Sequence, residues 1–119
     1  MFASSIYFAD QDILNGKSQA VRDLYSLLVD GLNHLGPVQE IKKVFSISFE
    51  NHRPFASVWI RDRTIKLVFR TQHRITNQRI LSIDRVADKS FDNTVVLDSK
   101  IDIDDELMKW LGEAYQCSK

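Results

Sequence analysis

The chain has 119 residues, 44% of them apolar, with only four glycines and two prolines, which excludes a disordered tail and predicts one globular domain over residues 1–119. Lysines and arginines balance aspartates and glutamates at sixteen each, and the isoelectric point near 6.8 is lower than nucleic-acid-binding domains usually have. The single cysteine, Cys117, excludes an internal disulfide and indicates a cytoplasmic compartment, and the lack of a long apolar run excludes a membrane span, so no membrane partner is expected.

The zero net charge conceals three segments of different sign. Residues 1–41 carry a net charge of −3, residues 42–79 carry +7, and residues 80–119 carry −4. Such segregation is typical of a binding face. It is equally typical of a basic sheet that attracts acidic helices within one molecule, and we favour this internal explanation.

Residues 1–16 show no clear periodicity in the spacing of their apolar side chains. Their apolar side chains are expected to pack against the core: Ile6, Phe8, Ile13 and Leu14.

The first clear helix is predicted over residues 17–35. Ser18 is a good N-cap, because its hydroxyl can accept a hydrogen bond from an unpaired backbone N–H. Gly36 and Pro37 end the helix, and Gly31 within it indicates a close approach by a neighbouring segment. Spacings of three and four residues place an apolar stripe on one face: Val21, Leu24, Tyr25, Leu28 and Leu32.

Three strands are predicted over residues 43–50, 55–60 and 64–70. The first and third alternate apolar and polar side chains, which is typical of a sheet with one buried face. The middle strand is apolar at nearly every position, which predicts a central strand. The links at 51–54 and 61–63 are short enough only for antiparallel hairpins. In the first strand the alternating apolar residues are Phe45, Ile47 and Phe49.

A polar loop over residues 71–79 precedes two further candidate strands, 80–86 and 94–97. A second helix is predicted over residues 102–116, with acidic side chains in its first turn, where the helix dipole favours negative charge. Two side chains are candidates for its N-cap: Asp102 and Asp104.

The order of elements predicts an α+β fold: a two-layer sandwich in which an antiparallel meander of four to five strands carries both helices on one face. The other face would carry polar side chains with an aromatic or aliphatic one between them: Ser46, Ser48, Lys66 and Arg70, with Trp59 or Val58.

Several short motifs occur together along nearly the whole chain: Phe8-Ala9, Leu35-Gly36-Pro37, Phe55-Ala56, Arg61-Asp62-Arg63 leading into Ile65-Lys66-Leu67, Asp104-Asp105-Glu106-Leu107, and Trp110-Leu111-Gly112-Glu113-Ala114-Tyr115. Together they resemble an uncharacterised bacterial domain-of-unknown-function family. The resemblance implies a small α+β domain, found alone or fused to nuclease-like and predicted-transport proteins, and no agreed activity. The element order is also similar to frataxin-like iron-chaperone domains, in architecture alone.

The open sheet face is the best candidate site. An aromatic side chain there can stack a base while cations contact phosphates. The alternative is that the long basic side chains cover apolar sheet surface and keep their charges in water. The candidate residues are Trp59, Arg61, Arg63, Lys66 and Arg70.

Other chemistry has weaker signals. The acidic start of the second helix offers oxygen ligands for a hard cation, with Asp102 and Glu106 on one helix face, but capping explains the same residues. Two acid-x-Lys pairs fit a metal-dependent nuclease, at a frequency expected by chance: Glu40 with Lys42, and Asp98 with Lys100. Three histidines lack partners at ligand spacing: His34, His52 and His73.

The lack of a convergent catalytic set favours a non-enzymatic binding or interaction domain without metal or cofactor. The sequence is compatible with several kinds of partner. A nucleic acid or another polyanion on the basic face is one alternative, and a metal-dependent nuclease-like or metal-handling protein is another. A homodimer or a protein partner on an exposed strand edge or sheet face is a third, with Trp59, Val68 and Phe69 as contact residues.

Overall fold

The computed structural model describes Leu14 and residues 16–119. The expected packing of Ile6, Phe8 and Ile13 lies outside these residues. The helices are α1 (Gln19–Asn33) and α2 (Asp105–Cys117), and a 3₁₀ helix spans Lys100–Asp102. The strands are β1 (Gln39–Lys42), β2 (Ile47–Glu50), β3 (Pro54–Ile60), β4 (Ile65–Thr71), β5 (Ser82–Ala87) and β6 (Ser90–Leu97).

The six strands form one antiparallel sheet in the order β1-β2-β3-β4-β6-β5. Strands β2 to β4 form the predicted meander, and β1 extends it at one edge. The chain then crosses to the outer edge with β5 and returns, so that β6 lies between β4 and β5. The α+β prediction is confirmed, with six strands in place of four to five.

Both helices pack on the same face of the sheet. Backbone register aligns Phe49 of β2, Ala56 of β3 and Phe69 of β4 in one row across the strands. Tyr25 of α1 lies 6.5 Å from Phe49 between ring centroids, and Trp110 of α2 stacks on Phe69 at 5.9 Å. The core therefore lies between this sheet face and the two helices, and no described helix packs on the other face.

The helix starts follow local capping chemistry. The Ser18 hydroxyl accepts a hydrogen bond from the Val21 N–H at 3.2 Å, and the Asp104 carboxylate accepts one from the Leu107 N–H at 2.9 Å. Ser18 is thus the predicted cap, and Asp104 is the cap of α2 among its two candidates. Asp102 instead lies in the preceding 3₁₀ helix.

The predicted strand over residues 43–50 is wrong in its first half. Only its second half is a strand, β2. Residues 43–46 form a turn, in which the Lys43 N–H donates to the Ser46 carbonyl at 2.8 Å, and this turn joins β2 to β1, a strand that was not predicted. Phe45, expected in the core with Ile47 and Phe49, lies in this turn and is 82% exposed. Its apolar character continues the strand pattern across a chain reversal, which periodicity alone does not detect.

Candidate polyanion-binding surface

Trp59 and Lys66 lie opposite each other on adjacent strands, β3 and β4. Both point away from the helices, since they alternate with the buried Val58 and Leu67. The Lys66 Nζ lies 4.4 Å from the centroid of the Trp59 ring. This cation–π contact, of about 0.5–1 kcal/mol at exposed sites, holds an ammonium group over the indole on the open sheet face.

The turn from β3 to β4 adds two arginines beside this pair. The turn is closed by the Arg61 N–H, which donates to the Thr64 carbonyl at 2.9 Å, and Arg61 and Arg63 are both exposed. Within residues 16–119, neither arginine has a carboxylate partner, and neither does Lys66. Asp62 between them pairs with Lys17 at 3.4 Å. We call the surface formed by Trp59, Arg61, Arg63 and Lys66 the basic platform.

Arg70 lies apart from the basic platform. It is four residues beyond Lys66 along β4, which is about 13 Å at the usual strand rise. Its guanidinium donates from Nε to Asp92 Oδ1 at 2.8 Å and from Nη2 to Asp92 Oδ2 at 3.1 Å. This bond to Asp92 raises the pKa of Arg70, so the charge is compensated within the sheet. Four of the five predicted site residues therefore lie at the end of β3, at the start of β4 or in the turn between them, and Arg70 lies farther along β4 on the same sheet face.

The open face contains some of the other side chains predicted for it. Strand register aligns Ser48, Ser57, Val68 and Thr94 in one row on this face. Other placements differ from prediction: Val58 and Phe69 are fully buried on the helix side, and Ser46 precedes β2 in the turn.

A family model described as a domain of unknown function, DUF5655, matches residues 10–118. The chain belongs to the DUF5655 family. This confirms the resemblance to a domain-of-unknown-function family. No curated protein and no solved structure matches the chain. Within the residues that the structure describes, no helix is both long enough and apolar enough to cross a bilayer.

The acidic start of α2 in this DUF5655 chain is occupied by internal contacts. Arg79 donates to both Asp104 carboxylate oxygens, at 3.0 and 3.1 Å, and to Glu106 Oε1 at 3.2 Å. The Leu107 N–H and then Arg79 lower the pKa of Asp104. Arg79 was not singled out from the sequence, although the basic segment around it and the acidic segment after it predicted internal pairing in general.

The cation hypothesis required Asp102 and Glu106 to share one helix face. They do not, because Asp102 lies in the 3₁₀ helix before α2. The Asp102 carboxylate accepts hydrogen bonds from the backbone N–H groups of Asp98, at 2.7 Å, and Ser99, at 3.1 Å. Among the described residues, no group of three or more His, Cys, Asp or Glu side chains is placed to hold a metal ion.

Glu40 and Lys42, the acid-x-Lys pair on β1, are also engaged in ion pairing and hydrogen bonding. The Lys42 Nζ lies 3.7 Å from Glu40 Oε1, and the Tyr25 hydroxyl donates to Glu40 Oε2. Metal-dependent cleavage would need a further carboxylate near this pair. Glu50, on the adjacent strand, accepts from the Ser48 hydroxyl at 3.3 Å. Its register partner is Gln39, the neighbour of Glu40, so the two glutamates belong to opposite faces of the sheet.

An open pocket of about 210 Å³ lies at the opposite end of the sheet from the basic platform. Two arginines line it, but both are already bonded. Arg53 donates to the Cys117 carbonyl oxygen at 2.8 Å, and Arg70 is bound to Asp92. The pocket therefore offers less unpaired positive charge than the basic platform does.

Proposed function

We propose that this DUF5655 chain is a non-enzymatic binding domain that takes a polyanion on the basic platform. One observation carries the proposal: Arg61, Arg63 and Lys66 lie beside Trp59 without a carboxylate partner among the described residues. Cations that the protein does not neutralise itself are available to neutralise phosphates and release their counterions.

The contrast with the other cations of the central segment supports this assignment. Arg70 is bound to Asp92, and Arg79 is bound to Asp104 and Glu106. Two further arginines of residues 42–79 have no carboxylate partner among the described residues, but Arg53 donates to the Cys117 carbonyl oxygen and Arg74 lies over the Phe91 ring. The basic platform thus groups three cations that have neither a carboxylate nor a backbone partner within the described part of the chain. Because the platform is built on a tight hairpin, the backbone positions from which its charged side chains extend are fixed.

Three carboxylates that an enzymatic or metal-binding alternative would use already have partners. Asp104 caps α2, Asp102 binds backbone N–H groups, and Glu40 is bonded to Tyr25 and Lys42. These contacts account for the acidic residues as structural elements, which supports a binding role.

The test uses a fluorescently labelled single-stranded oligonucleotide and a long-chain polyphosphate as probe polyanions, at rising salt. We expect micromolar binding that weakens as salt rises. A double variant that combines Arg63→Glu and Lys66→Glu should abolish this binding. The matched control is a second double variant, Arg22→Glu and Lys109→Glu. Both positions are exposed on helices and the change in net charge is the same, but this variant should keep most of the binding.

Two outcomes would contradict the proposal. One is the absence of binding by the unmodified protein at low salt. The other is equal loss of binding in the platform variant and the helix control, because net charge alone would then explain it. The unfolding curve of the helix control should match that of the unmodified protein, since exposed surface substitutions usually change stability by less than about 0.5 kcal/mol. The platform variant also loses the contact between Lys66 and Trp59 and should be destabilised by no more than about 1 kcal/mol.

A further inference from the structure

The turn between β1 and β2 lies at the same end of the sheet as the basic platform. Ile47 at the start of β2 pairs with Val58, two residues before the end of β3. Strand spacing then places the β1–β2 turn about 10 Å from the β3–β4 turn that carries Arg61 and Arg63. The sheet thus ends in two neighbouring turns, one basic and one apolar at its tip.

The apolar tip consists of Val44 and Phe45, which are 64% and 82% exposed. Lys43 precedes them, is exposed, and has no carboxylate partner within residues 16–119. An exposed aromatic in a protruding turn does not stabilise the fold. Together with flanking cations, it has the composition of a surface that inserts into the interface of a lipid bilayer.

We propose that the polyanion recognised by this protein is the surface of an anionic membrane, an inference that rests on the proposed function. Val44 and Phe45 enter the boundary between headgroups and acyl chains. Lys43 and the cations of the basic platform contact lipid phosphates and carboxylates, and Trp59 lies at headgroup level, where indole rings are enriched.

Complementarity of both charge and polarity favours a membrane over a nucleic acid. A single-stranded nucleic acid uses Trp59 and the cations but leaves Val44 and Phe45 in water. An anionic bilayer uses both sets of side chains. The carboxylate between Arg61 and Arg63 in the sequence, Asp62, is paired with Lys17. The sequence-based expectation of no membrane partner rested on the lack of a spanning helix, which a peripheral contact does not need.

The chain offers a matched control for the apolar tip. Ile101 has the same exposure as Phe45, 82%, but it lies between Lys100 and Asp102, next to the acidic start of α2. The test compares Phe45→Ser and Ile101→Ser in co-sedimentation with phosphatidylcholine vesicles, with and without phosphatidylserine. Trp59 fluorescence gives a second readout, because the other tryptophan, Trp110, is buried against Phe69.

We expect the unmodified protein to sediment with vesicles that contain phosphatidylserine and to shift its tryptophan emission to shorter wavelength. Phe45→Ser should weaken vesicle binding about tenfold, since a large side chain no longer leaves water. Ile101→Ser should bind as the unmodified protein does. Reversal of Arg61 and Arg63 to Glu should abolish sedimentation.

Four results would overturn the membrane proposal. Equal binding to vesicles without phosphatidylserine would remove the charge argument, and equal binding by Phe45→Ser would remove the insertion argument. Oligonucleotide binding that depends on the platform, without vesicle binding, would leave the proposed function standing and exclude the membrane. A dimer in sedimentation equilibrium that Phe45→Ser dissociates, again without vesicle binding, would identify a second copy as the occupant.

Discussion

The Tyr115 hydroxyl lies directly against Gly36 and donates a hydrogen bond to the neighbouring Pro37 carbonyl oxygen at 3.1 Å. Gly36 has a φ of +142°, a backbone conformation that favours glycine. Through this contact the last turns of α2 are attached to the segment that follows α1. The chain reversal after α1 and the position of α2 are thus coupled by one side chain.

Replacement of Gly36→Ala should therefore lower the free energy of unfolding by about 1–3 kcal/mol, because the positive φ becomes strained and the new methyl group collides with Tyr115. Gly16→Ala is the control, since Gly16 also has a positive φ, +81°, but among the described residues no atom beyond its chain neighbours lies within 4 Å of its added Cβ. Denaturant unfolding measures both. In a Tyr115→Phe background the Gly36→Ala penalty should shrink, and an unchanged penalty would show that the collision has no role.

Two phenylalanines of the predicted first strand should respond differently to truncation. Phe49 is 1% exposed and packs near Tyr25, so Phe49→Ala should cost about 3–5 kcal/mol. Phe45→Ala should change stability by less than about 0.5 kcal/mol, because its side chain is already in water. Chemical denaturation of the two variants checks this. Similar losses in both would place Phe45 in the core and contradict the β1–β2 turn.

Asp104 should contribute stability that depends on pH. Its pKa lies below the ordinary value of 3.8 because of the Leu107 N–H and Arg79, so its contribution is fully present above that value and is lost as pH falls through the lowered pKa. At neutral pH, Asp104→Ala should cost about 0.5–2 kcal/mol, as for other N-caps. Asp104→Asn keeps an acceptor for the cap.

The two Asp104 variants separate capping from charge in unfolding curves at several pH values. Asp104→Asn should be the milder change near neutral pH, and its difference from the unmodified protein should shrink in acid. A difference that stays constant with pH would show that the ion pair with Arg79 contributes nothing.

His73 should titrate above its ordinary pKa of 6.5. Its Nε2 lies 3.0 Å from Glu113 Oε2, and this bond, followed by one to the Arg74 carbonyl, raises the pKa of His73. The stabilising contribution is therefore present below about pH 6.5 and is lost as pH rises through the raised pKa. NMR titration of the imidazole protons should show a lower midpoint in Glu113→Gln. An unchanged midpoint would place the cause elsewhere.

Local chemistry made the helices and the fold class predictable. Ser18 and Asp104 cap helices through hydrogen bonds to N–H groups three residues away, and the apolar stripes of α1 and α2 repeat within one or two turns. The hairpin from β3 to β4 follows from a short link between two apolar runs. Because these signals lie within a few residues of one another, the sequence by itself determined both helices, the central hairpin and the α+β class.

The turn in the first half of residues 43–50 was decided by tertiary structure. A period of two looks the same through a tight turn as along a strand, so Phe45 continued the pattern of Ile47 and Phe49. Only the pairing of β1 with β2 showed that the chain reverses there. The position of β6 between β4 and β5 depends in the same way on contacts between distant residues.

The sequence likewise determined only part of the candidate surface. Clustering of basic residues around Trp59 was visible in the chain, but which of those charges stay unpaired was not. Arg70 meets Asp92 across 22 residues and Arg79 meets Asp104 across 25, while Arg61, Arg63 and Lys66 meet no carboxylate within the described residues. The sequence by itself determined how much positive charge the centre of this protein holds. Only the tertiary structure decided which part of that charge stays without a carboxylate partner among the described residues, because ion pairs form between groups that the fold brings together.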